Sequence, residues 1–124
     1  MSVLKTQGFF EQVNQAFLEG DADFIAKNVT DDVVWTMAGE ETIRGKAAFV
    51  EMLEKMDSQS DSGATLTIDA IILDGPRAAV TGKMTGRMES GEEKGYVYCD
   101  LYLLDELQNG KIKELTAFVV EKKD

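Results

Sequence analysis

The 124-residue chain contains no histidine, one cysteine (Cys99), one proline (Pro76) and one tryptophan (Trp35). The lack of histidine excludes Ser-His-Asp and Cys-His nucleophile arrangements and histidine-ligated metal sites. Acid–base chemistry is left to Asp, Glu, Tyr, Lys or the lone Cys. One cysteine makes no intrachain disulfide and fits a reducing compartment, so a cytoplasmic location is expected. Basic residues are scarce, 13 Lys and Arg against 23 Asp and Glu, for a net charge of −10. Nucleic acid and anionic membrane surfaces both need a basic footprint, so neither is an expected partner. No apolar run approaches the roughly 18 residues of a membrane-spanning helix. The opening Met-Ser-Val-Leu-Lys-Thr-Gln carries no long apolar run, which argues against a signal peptide.

What is present is an ordinary globular composition, 44% hydrophobic and 29% charged. A chain of this length suits one domain over residues 1–124 and buries roughly two-thirds of its unfolded surface. Apolar residues first recur at helical spacing. Phe9/Phe10, Val13 and Ala16/Phe17 predict a first helix over about Ser2–Glu19, stopped by Gly20. Asp21 or Asp23 caps a short second helix carrying Phe24, Ile25 and Val29, which Thr30-Asp31-Asp32 breaks. Val33–Met37 reads as a strand, and Glu40–Ile43 as a short hairpin arm after Ala38-Gly39. Arg44-Gly45 opens a third helix, about Lys46–Met56, with Phe49, Leu53 and Met56 in a stripe. Asp57–Gly63 is a polar loop.

Beyond that loop the apolar period changes from 3.6 to 2. Four strands are expected: about Ala64–Leu73, Arg77–Glu89, Lys94–Glu106 and Lys111–Lys122. Asp74-Gly75-Pro76, Ser90-Gly91 and Asn109-Gly110 separate them, the last being a strong hairpin signal. Short turns between consecutive strands imply an antiparallel meander. The expected fold is α+β, with three N-terminal helices on one face of a curved antiparallel sheet, forming a cone with an open end.

The informative stretch is Gly95–Glu106. Tyr96, Tyr98, Asp100, Tyr102 and Leu104 share one face, and Val97, Cys99, Leu101 and Leu103 the other. Apolar side chains on both faces mark a central, doubly covered strand. Asp100 sits among tyrosines in its middle, where a charge is costly unless it is paired, protonated or facing a cavity. Asp100 is therefore either a pocket acid with a raised pKa or a structural partner of Arg44, Arg77, Arg87 or a tyrosine hydroxyl. On the preceding strand Val80, Gly82, Met84, Gly86 and Met88 share a face, and alternate glycines there bend a sheet or leave room for a ligand. The opposite face of the central strand, Val97, Cys99, Leu101 and Leu103, needs a cover, and a second copy of the chain is the expected one. Cys99 points away from Asp100, so it is not expected to act as a nucleophile. Glu89, Glu92 and Glu93 cluster at a turn without the regular ligand spacing of a calcium loop.

Several motifs then occur together and in order: Phe17-Leu-Glu-Gly-Asp-Ala-Asp, Val29-Thr-Asp-Asp-Val-Val-Trp, Ile43-Arg-Gly-Lys and Asn109-Gly-Lys-Ile-Lys-Glu-Leu. Over nearly the whole chain they resemble the SnoaL-like and ketosteroid-isomerase-like members of the nuclear transport factor 2-like superfamily. That resemblance implies a cone-shaped, cystatin-like roll with a hydrophobic pocket and dimers formed sheet to sheet. Asp100, followed by Leu101 and Tyr102, matches the isomerase's oxyanion-donating acid, a carboxylic acid that an apolar site keeps neutral in that enzyme. The isomerase's general base falls on Met37 and its tyrosine near Val13, so steroid isomerisation is not implied. The aspartate–arginine pattern of the related epoxide hydrolases is absent too, with Tyr98 at the arginine position and no second acid on Leu115–Val119. The dehydratase branch relies on histidine. A SnoaL-type cyclase, working with a single aspartate, is the enzymatic relative that fits.

The resulting expectation is a pocket for a small apolar or aromatic molecule. Catalysis, as isomerase, cyclase or hydratase, would rest on Asp100, with Phe17, Trp35, Met37, Phe49, Leu53, Val80, Met84, Tyr98 and Tyr102 as candidate ligand-contacting residues. Trp35 suits a plain core equally well, and for the helical stripe residues Phe17, Phe49 and Leu53 core is the favoured reading. No cofactor and no metal are expected. The alternative is a non-catalytic binding or dimerisation module of the same fold.

Overall fold

A computed structural model describes residues 5–59, 65–87 and 93–122, with the backbone alone described at 56–59 and at Arg87. The elements are α1 (Gln7–Glu19), α2 (Ala22–Lys27), β1 (Val29–Met37), β2 (Thr42–Arg44), α3 (Lys46–Gln59), β3 (Thr65–Asp74), β4 (Arg77–Arg87), β5 (Glu93–Asp105) and β6 (Lys111–Glu121). One six-stranded sheet runs in the order β2-β1-β6-β5-β4-β3 and is open at both edges. The three helices lie against it, α1 over β3 and α3 over β1 and β2. This is the expected α+β arrangement of three helices on a curved sheet, with one difference in strand direction. β1 pairs with β6 in parallel, whereas all other neighbours are antiparallel, so the sheet is mixed. Hairpins dictate the antiparallel pairs; β1 and β6 are far apart in the chain, and no turn fixes their relative direction.

Local chemistry explains the element ends. Gly20 closes α1 in the left-handed region (φ 71°), its N–H bonding to the Ala16 carbonyl. The Asp21 carboxylate caps α2 by accepting from the Phe24 N–H at 3.1 Å. α1 begins at Gln7, and Ser2–Leu4 of the expected helix lie outside the described residues. Val29 belongs to β1, not to the second helix, because it pairs with Ile112; an irregularity between Val29 and Val34 lets Asp31 and Asp32 stay in water. α3 continues through Gln59, past the expected start of the polar loop. Ser90-Gly91, Met88, Glu89 and Glu92 fall outside the described residues, as does the 60–64 part of the loop.

Asn109 and Gly110 both adopt positive φ, 58° and 74°, as the turn signal requires. The connection is longer than a two-residue hairpin because a 3-10 turn, Glu106–Gln108, precedes them. Asp105 holds that turn, its carboxylate accepting from the Leu107 N–H at 2.9 Å and from Gln108 Nε2 at 2.8 Å. These bonds, the backbone one foremost, hold its pKa below the ordinary value.

The core lies between the helices and the concave face. Phe10, Val13, Ile25, Val29, Val33, Phe49, Val80 and Ile112 are at most 2% exposed. Burying each such side chain contributes on the order of 1.5–3 kcal/mol before entropy is counted. Trp35 rests on Phe49 with ring centroids 4.8 Å apart, and Phe10 on Tyr102 at 5.0 Å. No helix among the described residues is long and apolar enough to cross a membrane.

Candidate functional site

The pleat of β5 turns Tyr98, Asp100 and Tyr102 to the helical side, and it places Val80 of β4 and Ala117 of β6 beside Asp100. Ala117 is small, so the carboxyl is not walled in on that side. A cleft of about 130 Å³ opens in front of it. Its walls are Asn14 and Phe17 from α1, Trp35 from β1, Leu66 from β3, Met84 from β4, Tyr98 and Asp100 from β5, and Leu115, Ala117 and Val119 from β6. An apolar cavity of roughly 150 Å³ is known to hold one benzene ring, so the space suits a ring-sized body. Val119 is 48% exposed and stands at the mouth.

The Asp100 carboxyl makes no hydrogen bond or ion pair with any described residue. Arg44 and Arg77 are exposed on the surface, and the Arg87 side chain lies outside the described residues. The structural pairing considered for Asp100 with Arg44 or Arg77 is thus not made. Burial alone pushes the Asp100 pKa up to about 7, because the ionised form loses its water without gaining a counter-charge. Near neutral pH the group is poised between acid and base.

The flanking tyrosines play different parts. The Tyr98 hydroxyl donates to the Thr67 carbonyl at 3.0 Å and accepts from Asn14 Nδ2 at 2.9 Å. Burial, and secondarily the charge of Asp100, push its pKa up to about 12, so it keeps its proton. The Tyr102 hydroxyl is sealed in the core without a partner among the described residues, and burial followed by the Asp100 charge raises its pKa strongly. Trp35 Nε1 and Thr30 Oγ1 are likewise sealed with no partner among the described residues. Such unpaired buried donors each cost on the order of 1–3 kcal/mol.

Of the residues singled out in the sequence, Asp100, Phe17, Trp35, Met84 and Tyr98 meet on the cleft wall. Val80, Phe49, Leu53 and Tyr102 are buried in the core around it and do not line it. Met37 packs half-buried against that core and is likewise absent from the wall. Strand alternation for Val80, Tyr102 and Met37, and the helical stripe for Phe49 and Leu53, assign a face but not a depth, which is why these five sit behind the surface or beside it. Sequence reasoning missed Asn14, Leu66, Leu115, Ala117 and Val119. Asn14 had a visible signal, since it lies on the α1 stripe between Phe10 and Phe17 at spacings of four and three. Leu115, Ala117 and Val119 alternate along β6, but only their pairing with β5 identifies them as neighbours of Asp100.

On the opposite face of the sheet, Val97, Leu101, Phe118 and Val120 are 40%, 44%, 43% and 61% exposed. Cross-strand pairing puts Val97 against Val120 and Cys99 against Phe118, which makes the apolar surface continuous. Cys99 and Leu103 are half-buried within it. Among the described residues no group of three or more Cys, Asp and Glu stands close enough to hold a metal.

The fold is that of a nuclear transport factor 2-like protein. The family model described as a SnoaL-like domain matches residues 10–115, and the chain belongs to that family. It is similar to a nuclear transport factor 2-like protein of unknown function from Cytophaga hutchinsonii, with 26% identity, a TM-score of 0.77, and coverage of 94% of this chain and 100% of that one. It shares its fold with a SnoaL-like polyketide cyclase, so described, from Jannaschia sp. CCS1, at 16% identity, TM-score 0.76 and coverage of 96% and 89%. It also shares its fold with an epoxide hydrolase from M. tuberculosis, at 21% identity, TM-score 0.69 and coverage of 85% and 74%. No curated protein matches the chain by sequence.

Proposed function

We propose that the cleft binds a small apolar or aromatic molecule and that Asp100 exchanges a proton with it. The observation that carries this reading is an unpaired carboxyl, poised near pH 7, on the wall of an otherwise apolar cleft. A structural aspartate would have a cation or a set of donors; Asp100 has neither among the described residues. A single group that removes a proton from carbon and returns it elsewhere on the same molecule completes an isomerisation. In an intramolecular aldol ring closure, it returns the proton to the new alkoxide. Neither needs a second acid. The fold shared with a protein described as a polyketide cyclase supports the same class.

The second reading is a binding module without turnover. It is favoured by the residues at the isomerase-like positions, Met37 and Val13, and by Tyr98 having its proton committed to Thr67. In either case we propose that the apolar outer face is covered by a second copy of the chain.

The test uses cyclohex-3-en-1-one, a ring-sized ketone whose conversion to the conjugated cyclohex-2-en-1-one is followed by ultraviolet absorption. Conversion above the buffer rate that is lost in Asp100→Asn supports the catalytic reading. Binding by NMR titration with no conversion leaves the binding module, and neither binding nor conversion removes both.

A further inference from the structure

Among the described residues, the cleft wall carries a carboxyl group and no cation. Val80 and Ala117 stand beside Asp100 on the neighbouring strands, and neither side chain can donate to it. The Tyr98 hydroxyl proton is committed to the Thr67 carbonyl. Lys83 of β4 stands on the opposite face, in register with Val97, and pairs with Asp69 at 3.1 Å. Water does not make up the deficit, since burial still pushes the Asp100 pKa up to about 7. The cost of taking this carboxyl out of water is already met in folding. A cation that reaches it therefore gains the attraction and loses only its own hydration. Phe17 and Trp35, with ring centroids 6.1 Å apart, border the same cleft, and aromatic rings attract cations near their faces.

From this arrangement we infer that the cleft takes a ring-sized molecule carrying a basic nitrogen, bound as its cation with the nitrogen against the Asp100 carboxylate. The inference rests on the ligand-binding reading above and gives the ligand a charge. The net charge of −10 draws cations to the protein and turns anions away. A carboxylate or phosphate would meet Asp100 without a counter-ion. Where the ligand arrives as the free amine, the acid's proton passes to the nitrogen and the ion pair forms. A ketone is not turned away, because it meets the protonated acid, which donates to its oxygen. One carboxyl thus serves both ligands, each in a different protonation state.

Cyclohexylamine and cyclohexanol are matched in shape and differ in charge, the amine staying protonated at neutral pH as a lysine does. Their affinities are measured by NMR titration. The titratable groups facing Asp100 among the described residues are Tyr98 and Tyr102 of its own strand, both held protonated. The other wall residues, from α1, β1, β3, β4 and β6, carry no ionisable group. Cyclohexylamine affinity should rise at least about tenfold between about pH 5 and about pH 8, because ionisation of Asp100 and cation binding favour each other reciprocally. In Asp100→Asn that rise should vanish. The amine-over-alcohol affinity ratio at about pH 8 should fall at least about tenfold in the same variant, the loss of one charge-assisted hydrogen bond. In the wild-type protein near pH 6, the Asp100 13Cγ resonance should move to its ionised position with the amine and stay in place with the alcohol. A 13Cγ signal indifferent to the amine overturns the inference even if Asp100→Asn fails to fold. An amine affinity that is flat with pH, or that survives in Asp100→Asn, puts the cation on the acidic surface and overturns it too. If cyclohexanol binds and the amine binds no tighter at about pH 8, the charge assignment falls and the ligand cleft stands. If neither binds, the ligand cleft falls and this inference with it.

Discussion

Gly82 and Tyr98 interlock across the β4–β5 pair. A Cβ placed on Gly82 would stand 2.6 Å from the Tyr98 hydroxyl and would also collide with the Thr67 carbonyl. The absent side chain is what lets the tyrosine ring lie across the strand and reach Thr67, one residue before the register shift between Ile68 and Ala70. That contact in turn orients Asn14 on the far wall of the cleft.

Gly82→Ala is expected to destabilise the protein by at least about 1–3 kcal/mol, the usual range for overpacking, because backbone as well as side chain must move. Urea denaturation gives the value. Wild-type stability in this variant would mean that the Tyr98–Thr67 contact is not held tightly.

Asp100 should impose a pH dependence on stability. Its folded pKa, about 7, lies above its ordinary value of 3.8. The neutral form fits the fold, so this contribution is fully present below about pH 3.8, declines between there and about pH 7, and is absent above. Across that window wild type should lose roughly 2–4 kcal/mol relative to Asp100→Asn, the full shift being discounted for the open cleft. The groups facing Asp100 that titrate, Tyr98 and Tyr102, remain protonated throughout this window. Denaturation curves for both proteins from pH 4 to 8 isolate the difference, since Asp105 and the surface carboxylates are common to them. Parallel curves would show that Asp100 ionises without cost.

Phe118→Glu places a charge beside Cys99 on the apolar outer face. Wild type should sediment as a two-chain species and the variant as one chain with its cooperative melt intact. A wild-type protein that sediments as a single chain at all accessible concentrations would refute the cover proposed for this face.

Phe10 is fully buried and its ring meets that of Tyr102 behind the acid. Phe10→Ala should cost about 3–5 kcal/mol in chemical denaturation, as large-to-small changes of aromatic core residues do. A loss under about 1 kcal/mol would mean the α1–β5 contact is loosely packed.

Much of this protein could be read locally. The order of helices and strands follows from the change of apolar period after Gly63. The inward aspect of Asp100 follows from alternation along Gly95–Glu106, because a strand's side chains alternate whatever it pairs with. Motif order along the chain pointed to the SnoaL-like family, to which it belongs.

Other features depend on residues far apart in the chain. The bond between Asn14 and Tyr98 spans 84 positions, and no periodicity encodes it. The same holds for the parallel pairing that draws Val29 into β1, and for the register that sets Ala117 beside Asp100. By itself the sequence determined which side chains share a face, since that depends on backbone geometry one residue at a time. Only the tertiary structure decided which of them border open space and which donors are sealed without a partner among the described residues, because depth and hydrogen-bond direction depend on what the rest of the fold brings alongside.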